Sequence, residues 1–278
     1  MMFGYLWLSR VLDITFLAFL EGAIALQIMD LHVPDTIRNG SGAVILDCEY
    51  SLSVNESKHA LEVGLVVKWY LNDHPTPIYQ WIPGQKPQEL GVMKNRLDLK
   101  YKASEQPASK FRAIRIMQPT TELSGEYKCM VSTFENEDFM MKKMLVYAPE
   151  KKLELQHEKS NYGITVHCTA YDVYPQPVLG IFKIENSELK EALPSMSLET
   201  VRWHGAFDVS AKASLIEIHG DTLIECELSL PETNYSSKQR IIYHESGESQ
   251  LLSNGVKSAI TESRHYIGLF MAAVFVTT

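Results

Sequence analysis

Apolar and polar residues alternate in short runs along most of the chain, the period of two that marks half-buried strands. Over residues 43–50, Val44, Leu46, Cys48 and Tyr50 fall on one side. Over residues 65–71, Leu65, Val67, Trp69 and Leu71 share a side, which turns Val66, Lys68 and Tyr70 the other way. Residues 78–83 read as an additional strand, followed by strands over 97–102, 111–117, 126–133 and 139–147, the last two joined through Glu135-Asn136-Glu137-Asp138. Ahead of them, Leu31-His32-Val33-Pro34 starts an edge strand, where a proline forfeits no ladder donor. A second series follows the linker Ala148-Pro149-Glu150-Lys151: Ile164, Val166 and Cys168 alternate inward, and strands are expected over 178–184, 214–217 and 223–230. The pattern predicts an all-β chain of two tandem sandwiches, over residues 29–148 and 149–245.

Leu123-Ser124-Gly125-Glu126-Tyr127-Lys128-Cys129 adds a specific corner to the first half. Gly125 permits a tight turn, and the Tyr127 hydroxyl can bond back to the corner's backbone. Cys129 points to the same side as Tyr127. With Cys48 and Trp69 upstream, the order Cys, Trp, Tyr-x-Cys resembles the immunoglobulin signature, in which an indole packs on a bridge between two sheets. Four cysteines allow three pairings. Cys48 with Cys129 and Cys168 with Cys226 is the one that gives each half its own cross-link. No Cys-x-x-Cys spacing suggests zinc, and disulfides imply an oxidising compartment. The second half lacks both a tryptophan near Ile181 or Phe182 and a corner tyrosine, whose place Ile224 takes. It therefore reads as a divergent constant-like domain, with Trp203 either filling core volume elsewhere or lying in a loop.

Val33-Pro34-Asp35-x-x-Arg38-x-Gly40, Leu46-x-Cys48-x-Tyr50, Val67-Lys68-Trp69-Tyr70, the 78–83 strand with Tyr79 and Trp81, and the Leu123–Cys129 corner resemble the first, variable-type domain of the beaten path family of arthropod neuronal surface proteins. The resemblance covers about 120 residues. It implies neuronal contact and axon guidance, with sidestep-like immunoglobulin-superfamily proteins as partners. Two departures stand out. Leu123 occupies a place where many variable domains carry an aspartate paired with an arginine, and aliphatic packing replaces such a pair at little net cost. The polar stretch between Cys48 and Trp69 is also longer than the family's usual loop.

The two ends read as addresses. Residues 1–25 hold Arg10, an apolar run and Ala23-Ile24-Ala25, a small-x-small site suited to signal peptidase. Asn39, Asn55 and Asn234 head glycosylation sequons. At the far end, residues 246–265 read as stalk and spacer and 266–278 as an apolar tail about half the length of a membrane-spanning helix. With Ser253 or Asn254 as the modified residue, this matches a glycosylphosphatidylinositol attachment signal, the rivals being a weak helical anchor or a secreted chain.

The net charge of −8 argues against nucleic acid as a partner. Nine histidines form no His-Glu-x-x-His, and neither Gly-x-Ser-x-Gly nor a phosphate loop occurs. His167 beside Cys168 points to the opposite face of its strand, and the acidic stretch at 135–138 lacks the spacing of a calcium loop. No enzyme, cofactor or metal is expected. A binding surface is: Lys68 and Tyr70 join Lys128, Met130 and Ser132 on one sheet face. Tyr79 and Trp81 share a side of the next strand, a side that alternation alone leaves open, and Phe139, Met140, Met141 and Met144 crowd the last hairpin. The leading expectation is recognition of another ectodomain, membrane-attached through a lipid or secreted. The alternative is a soluble immune-type carrier or ligand-binding module.

Overall fold

The structure, a computed structural model, describes residues 26–160, 162–185, 189–216, 218, 220–244 and 249–252. The expected signal segment, the spacer and tail, and the lipid-attachment residues Ser253 and Asn254 lie outside those residues. Packing groups the chain into two compact units, the first reaching Pro149 and the second starting at Glu150, with Asp172–Pro175 and Arg202–Ala206 grouped with the first. Both are all-β sandwiches of immunoglobulin type.

The first unit contains β1 (Gln27–His32), β2 (Thr36–Arg38), β3 (Val44–Ser51), β4 (Val66–Leu71), β5 (Tyr79–Trp81), β6 (Gln88–Glu89), β7 (Ile114–Ile116), β8 (Gly125–Ser132) and β9 (Glu137–Tyr147). One sheet runs β1-β3-β7 and the other β2-β9-β8-β4-β5-β6. Strand β2 lies parallel to β9, and β5 and β6 extend the second sheet as in variable-type domains. Val33 and Pro34 stand where the chain leaves one sheet for the other, so the missing proline N–H costs no ladder bond. The strand ahead of them starts earlier than the pattern suggested, and Leu26 and Ile28 belong to the core.

Cys48 on β3 is bonded to Cys129 on β8, and Trp69 stands opposite Cys129 in the β4–β8 register, fully buried. The Tyr127 hydroxyl donates to the Leu123 carbonyl at 2.8 Å, closing the corner. Gly125 is required there by close approach: a Cβ would stand 2.0 Å from Asn72 Oδ1, the atom that accepts the Glu126 N–H at 3.0 Å. Leu123 is buried, and a base contact forms one residue earlier, where Arg96 reaches Glu122 at 2.6 Å.

Two predicted strands shrink. Residues 97–102 contribute a single bridge, Leu97 to Ile116, and the strand expected over 111–117 is ordered only over β7. The reason is that buried aromatic tips capture the carbonyls just before it. Tyr50 Oη donates to Ala108 at 2.6 Å, Tyr79 Oη to Phe111 at 2.7 Å and Trp69 Nε1 to Arg112 at 3.0 Å. The Arg112 side chain is fastened in turn to Asp47 at 2.9 and 3.0 Å and to Glu49 at 2.7 Å. The polar stretch after β3 holds a short helix, α1 (Val54–Lys58), begun by a reciprocal cap: Glu56 N–H to Ser53 Oγ at 3.2 Å and Ser53 N–H to Glu56 Oε2 at 2.9 Å.

The second unit contains β10 (Lys152–Ser160), β11 (Gly163–Val173), β12 (Val178–Glu185), β13 (Leu189–Ala192), β14 (Ser197–Trp203), β15 (Ala206–Ile216), β16 (Thr222–Ser229), β17 (Ser236–Tyr243) and β18 (Ser249–Leu252). Its sheets are β10-β11-β15-β14 and β13-β12-β16-β17-β18, bridged by Cys168–Cys226. Ile181 stands opposite Cys226 as Trp69 does opposite Cys129, and buried Ile224 precedes Cys226 by two, so aliphatic volume takes both aromatic places. Trp203 is 70% exposed at the end of β14 and fills no core. Residues 249–252, expected within a stalk, instead pair with β17.

On the outward side of the second sheet Glu225 is only 1% exposed. Its carboxylate meets Lys190 at 2.9 Å, Lys238 at 3.5 Å and Arg240 at 2.5 and 2.6 Å, while Lys190 also bonds Glu227 and covers the Phe182 ring at 3.8 Å. Burial alone would raise the Glu225 carboxyl. Hydrogen bonds and charge from Lys190 and Arg240 outweigh it and hold the group below the usual range. A depressed folded-state pKa contributes stability that is present above the unfolded value of about 4.3 and is lost as pH falls through the folded one. Glu225→Gln should therefore destabilise the second unit by about 3 kcal/mol at neutral pH, and by less in acid, where the wild-type carboxylate is itself protonated. Urea titrations at two pH values check this.

Burial pushes the phenols of Tyr50, Tyr79 and Tyr127 well above their ordinary value. A raised folded-state pKa gives stability that is complete below the unfolded value of about 10 and is lost as pH climbs above it. The expected outcome is alkaline unfolding of the first unit in step with a burst of phenolate absorbance from three tyrosines. Their smooth titration in a folded protein would contradict it.

Candidate recognition face

The inward set of each strand fixes the outward set. Val67, Trp69 and Leu71 face the core on β4, so Val66, Lys68 and Tyr70 face away. On β8, inward Tyr127, Cys129 and Val131 turn Lys128, Met130 and Ser132 outward. Counting back by twos from buried Met144 and Val146 on β9 turns Phe139, Met141 and Lys143 outward. Register then brings them together, with Lys68 opposite Met130, Tyr70 opposite Lys128, Met130 opposite Phe139 and Lys128 opposite Met141.

Lys128 is the centre of the group. Its ammonium lies 5.5 Å from the Tyr70 ring and 4.7 Å from the Phe139 ring, a cation held between two aromatic faces. The Tyr70 hydroxyl points to Met130 Sδ at 3.9 Å. Partial burial, and then the Glu137 charge, raise the Tyr70 phenol, so it is neutral at physiological pH. Among the described residues neither Lys68 nor Lys128 has a carboxylate within ion-pair distance. Phe139 and Met141 are 48% and 50% exposed. Polarisable apolar side chains around rigid aromatics and unspent positive charge suit contact with another protein surface.

Tyr79 and Trp81, expected on this surface, are not on it. Each is 2% exposed, because the register sets Tyr79 opposite Trp69 and Trp81 opposite Val67 on the inward side and leaves Gln80 outward beside Lys68. Trp81 meets the Phe111 ring edge-on at 5.8 Å, and among the described residues its indole N–H has no hydrogen-bond partner. Phe139 and Met141, grouped with the hairpin rather than with Lys68 and Tyr70, complete the face. The alternation leading back from Met144 was the signal for them.

Beyond the face, Phe134 tops the β8–β9 hairpin at 82% exposed, its N–H bonded to the Val63 carbonyl at 2.9 Å. Its ring rests on Gly64, whose φ is +71° and where a Cβ would stand 2.5 Å from the ring. The lengthened loop after β3 is thereby fastened to the hairpin. Asn39 is exposed just after β2, Asn234 is exposed in the β16–β17 turn, and Asn55 is on α1. Among the described residues no group of three or more His, Cys, Asp and Glu is placed to hold a metal.

No family model and no curated protein matches the sequence. Solved structures do match. Bovine butyrophilin superposes with a TM-score of 0.59 at 19% identity, over 75% of this chain and 93% of that one. A chain from the structure of ICOS in complex with ICOS-L and an anti-ICOS-L VNAR domain superposes at 0.54 and 15% identity, over 74% of this chain and 98% of that one. At such identities the likeness establishes the fold.

Buried Trp81 sets the scale: Trp81→Ala should cost about 3–5 kcal/mol of first-unit stability. Tyr70→Ala and Phe139→Ala each cost about 1 kcal/mol or less. Denaturant melts followed by tryptophan emission separate the two classes.

Proposed function

We infer that the chain is an extracellular recognition protein that binds another immunoglobulin-type ectodomain through the outward face of β4, β8 and β9. The observation that carries this reading is the convergence of Tyr70, Met130, Phe139 and Met141 around Lys68 and Lys128, none of them used by the core. Two disulfides, one inside each unit, fit an oxidising location outside the cell. ICOS, whose structure with ICOS-L includes a chain of matching fold, lends support for a partner of the same general kind.

The finer reading rests on the likeness of the first unit's motifs to the beaten path family. It is contact at the neuronal surface during axon guidance, with a sidestep-like partner. In this reading residues 1–25 are removed, Asn39, Asn55 and Asn234 carry glycans, and attachment of lipid at Ser253 or Asn254 holds the protein at the membrane. The chain recognises and does not turn over a substrate.

A cell-surface screen of this chain against immunoglobulin-type ectodomains tests the face directly. Tyr70→Ala combined with Met130→Ala should weaken the binding found by about tenfold or more while both disulfides remain formed. Binding that survives the double substitution undiminished removes this face from the interface.

A further inference from the structure

The chain is acidic overall, yet residues 94–115 carry seven Lys or Arg against two Asp or Glu. The fold sorts these cations into two groups. The arginines are occupied: Arg96 by Glu122 at 2.6 Å, Arg112 by Asp47 and Glu49, and Arg115 by Asp98 at 3.1 Å. The lysines are not. Among the described residues Lys94, Lys100 and Lys110 have no carboxylate within ion-pair distance, and Lys102 meets only the solvent-exposed Glu105, at 3.9 Å.

The backbone gathers and fixes these lysines. A turn closes from Tyr101 N–H to the Asp98 carbonyl at 3.1 Å, and Ala103 N–H donates to the Lys110 carbonyl at 2.9 Å, setting Lys102 and Lys110 side by side with Lys100 one turn away. On either side of Lys110 the carbonyls of Ala108, Phe111 and Arg112 accept from Tyr50, Tyr79 and Trp69 in the core. The loop is therefore clamped while its ammonium groups make only weak contacts, Lys102 with the exposed Glu105 and Lys110 over the Phe111 ring at 5.5 Å. It borders the sheet containing β7, through Asp98 N–H to the Arg115 carbonyl and Met117 N–H to the Arg96 carbonyl, both at 2.9 Å, and so lies apart from the face on β4, β8 and β9.

We propose that the Lys100, Lys102 and Lys110 loop is a binding site for a sulfated glycosaminoglycan. Lysines presented as point charges suit a flexible polyanion, which gains affinity by releasing its condensed counterions. Disulfide bonding puts the chain outside the cell, whereas anionic lipid is concentrated in the cytoplasmic leaflet, which favours the glycan over a membrane. The site is independent of the ectodomain-binding face, and either stands if the other fails.

The test uses the full chain purified from expressing cells and four probes: immobilised heparin, desulfated heparin, phosphatidylserine vesicles and the ectodomain screen above. Wild-type protein should be retained on heparin at about 0.15 M salt. Lys100→Ala, Lys102→Ala and Lys110→Ala together should reduce heparin affinity about tenfold or more and flatten its salt dependence by about one log unit per lysine removed. An equal charge change elsewhere, Lys58→Ala with Lys159→Ala and Lys212→Ala, should leave heparin affinity within about twofold of wild type, and both triple variants should melt as wild type does. Ectodomain binding should be unchanged in the loop variant. Failure of wild type to bind heparin, equal losses in both triple variants, equal binding to desulfated heparin, or a preference for the vesicles each overturns the proposal.

Discussion

Large aromatic side chains with a polar tip impose a condition on any core that takes them in, because the tip loses water and must find an acceptor. The first unit meets it with main-chain carbonyls for four of its aromatics and leaves the Trp81 indole without an acceptor among the described residues. Tyr127 draws on Leu123, and Tyr50, Tyr79 and Trp69 draw on Ala108, Phe111 and Arg112. Three strands drawn from both sheets thereby dictate the path of one irregular segment. The disulfide fixes the distance between sheets, but these bonds decide what happens at the sandwich margin, where the chain gives up ladder pairing to serve the core. The second unit has isoleucine at both corresponding aromatic places, and so its core makes no such demand there.

That trade explains which parts of the architecture were legible in the amino-acid order. Alternation identified the inward and outward sets of β3, β4 and β8, because each of those strands carries an unmistakable inward marker in Cys48, Trp69 or Cys129. It failed over residues 97–102, which contribute a single bridge, and over residues 111–113, whose pattern suits a strand but where the Phe111 and Arg112 carbonyls are claimed by side chains distant in sequence. Tyr79 and Trp81 illustrate a different gap. Two aromatics on one side of a strand read alike whether that side is wet or dry, and only the pairing of Lys68 with Gln80 decides it. The Ser53-x-x-Glu56 cap is a local signal that was there to be read, within a stretch whose polarity suggested only a loop. Strand β18 had little to announce it, since its edge position asks for no alternating pattern.

The candidate face was half visible for the same reason. Lys68, Tyr70, Lys128 and Met130 follow from strands with markers on them. Phe139 and Met141 depend on which residue of β9 opposes Cys129, and the run from Phe139 to Met144 contains too few polar positions for its parity to be evident. Once Met140 is set opposite Cys129, the two neighbours must swing to the outside, and the cage around Lys128 closes.

Around Glu225 the charges of the second unit are arranged in a closed circuit. Every cation adjoining that carboxylate is already engaged, and a partner docking there would have to break bonds before making any. Such a surface is chemically quiet: it can pass close to other molecules in a crowded solution without sticking to them. A surface that has settled its own charges contributes little attraction, and discrimination is left to the groups that have not.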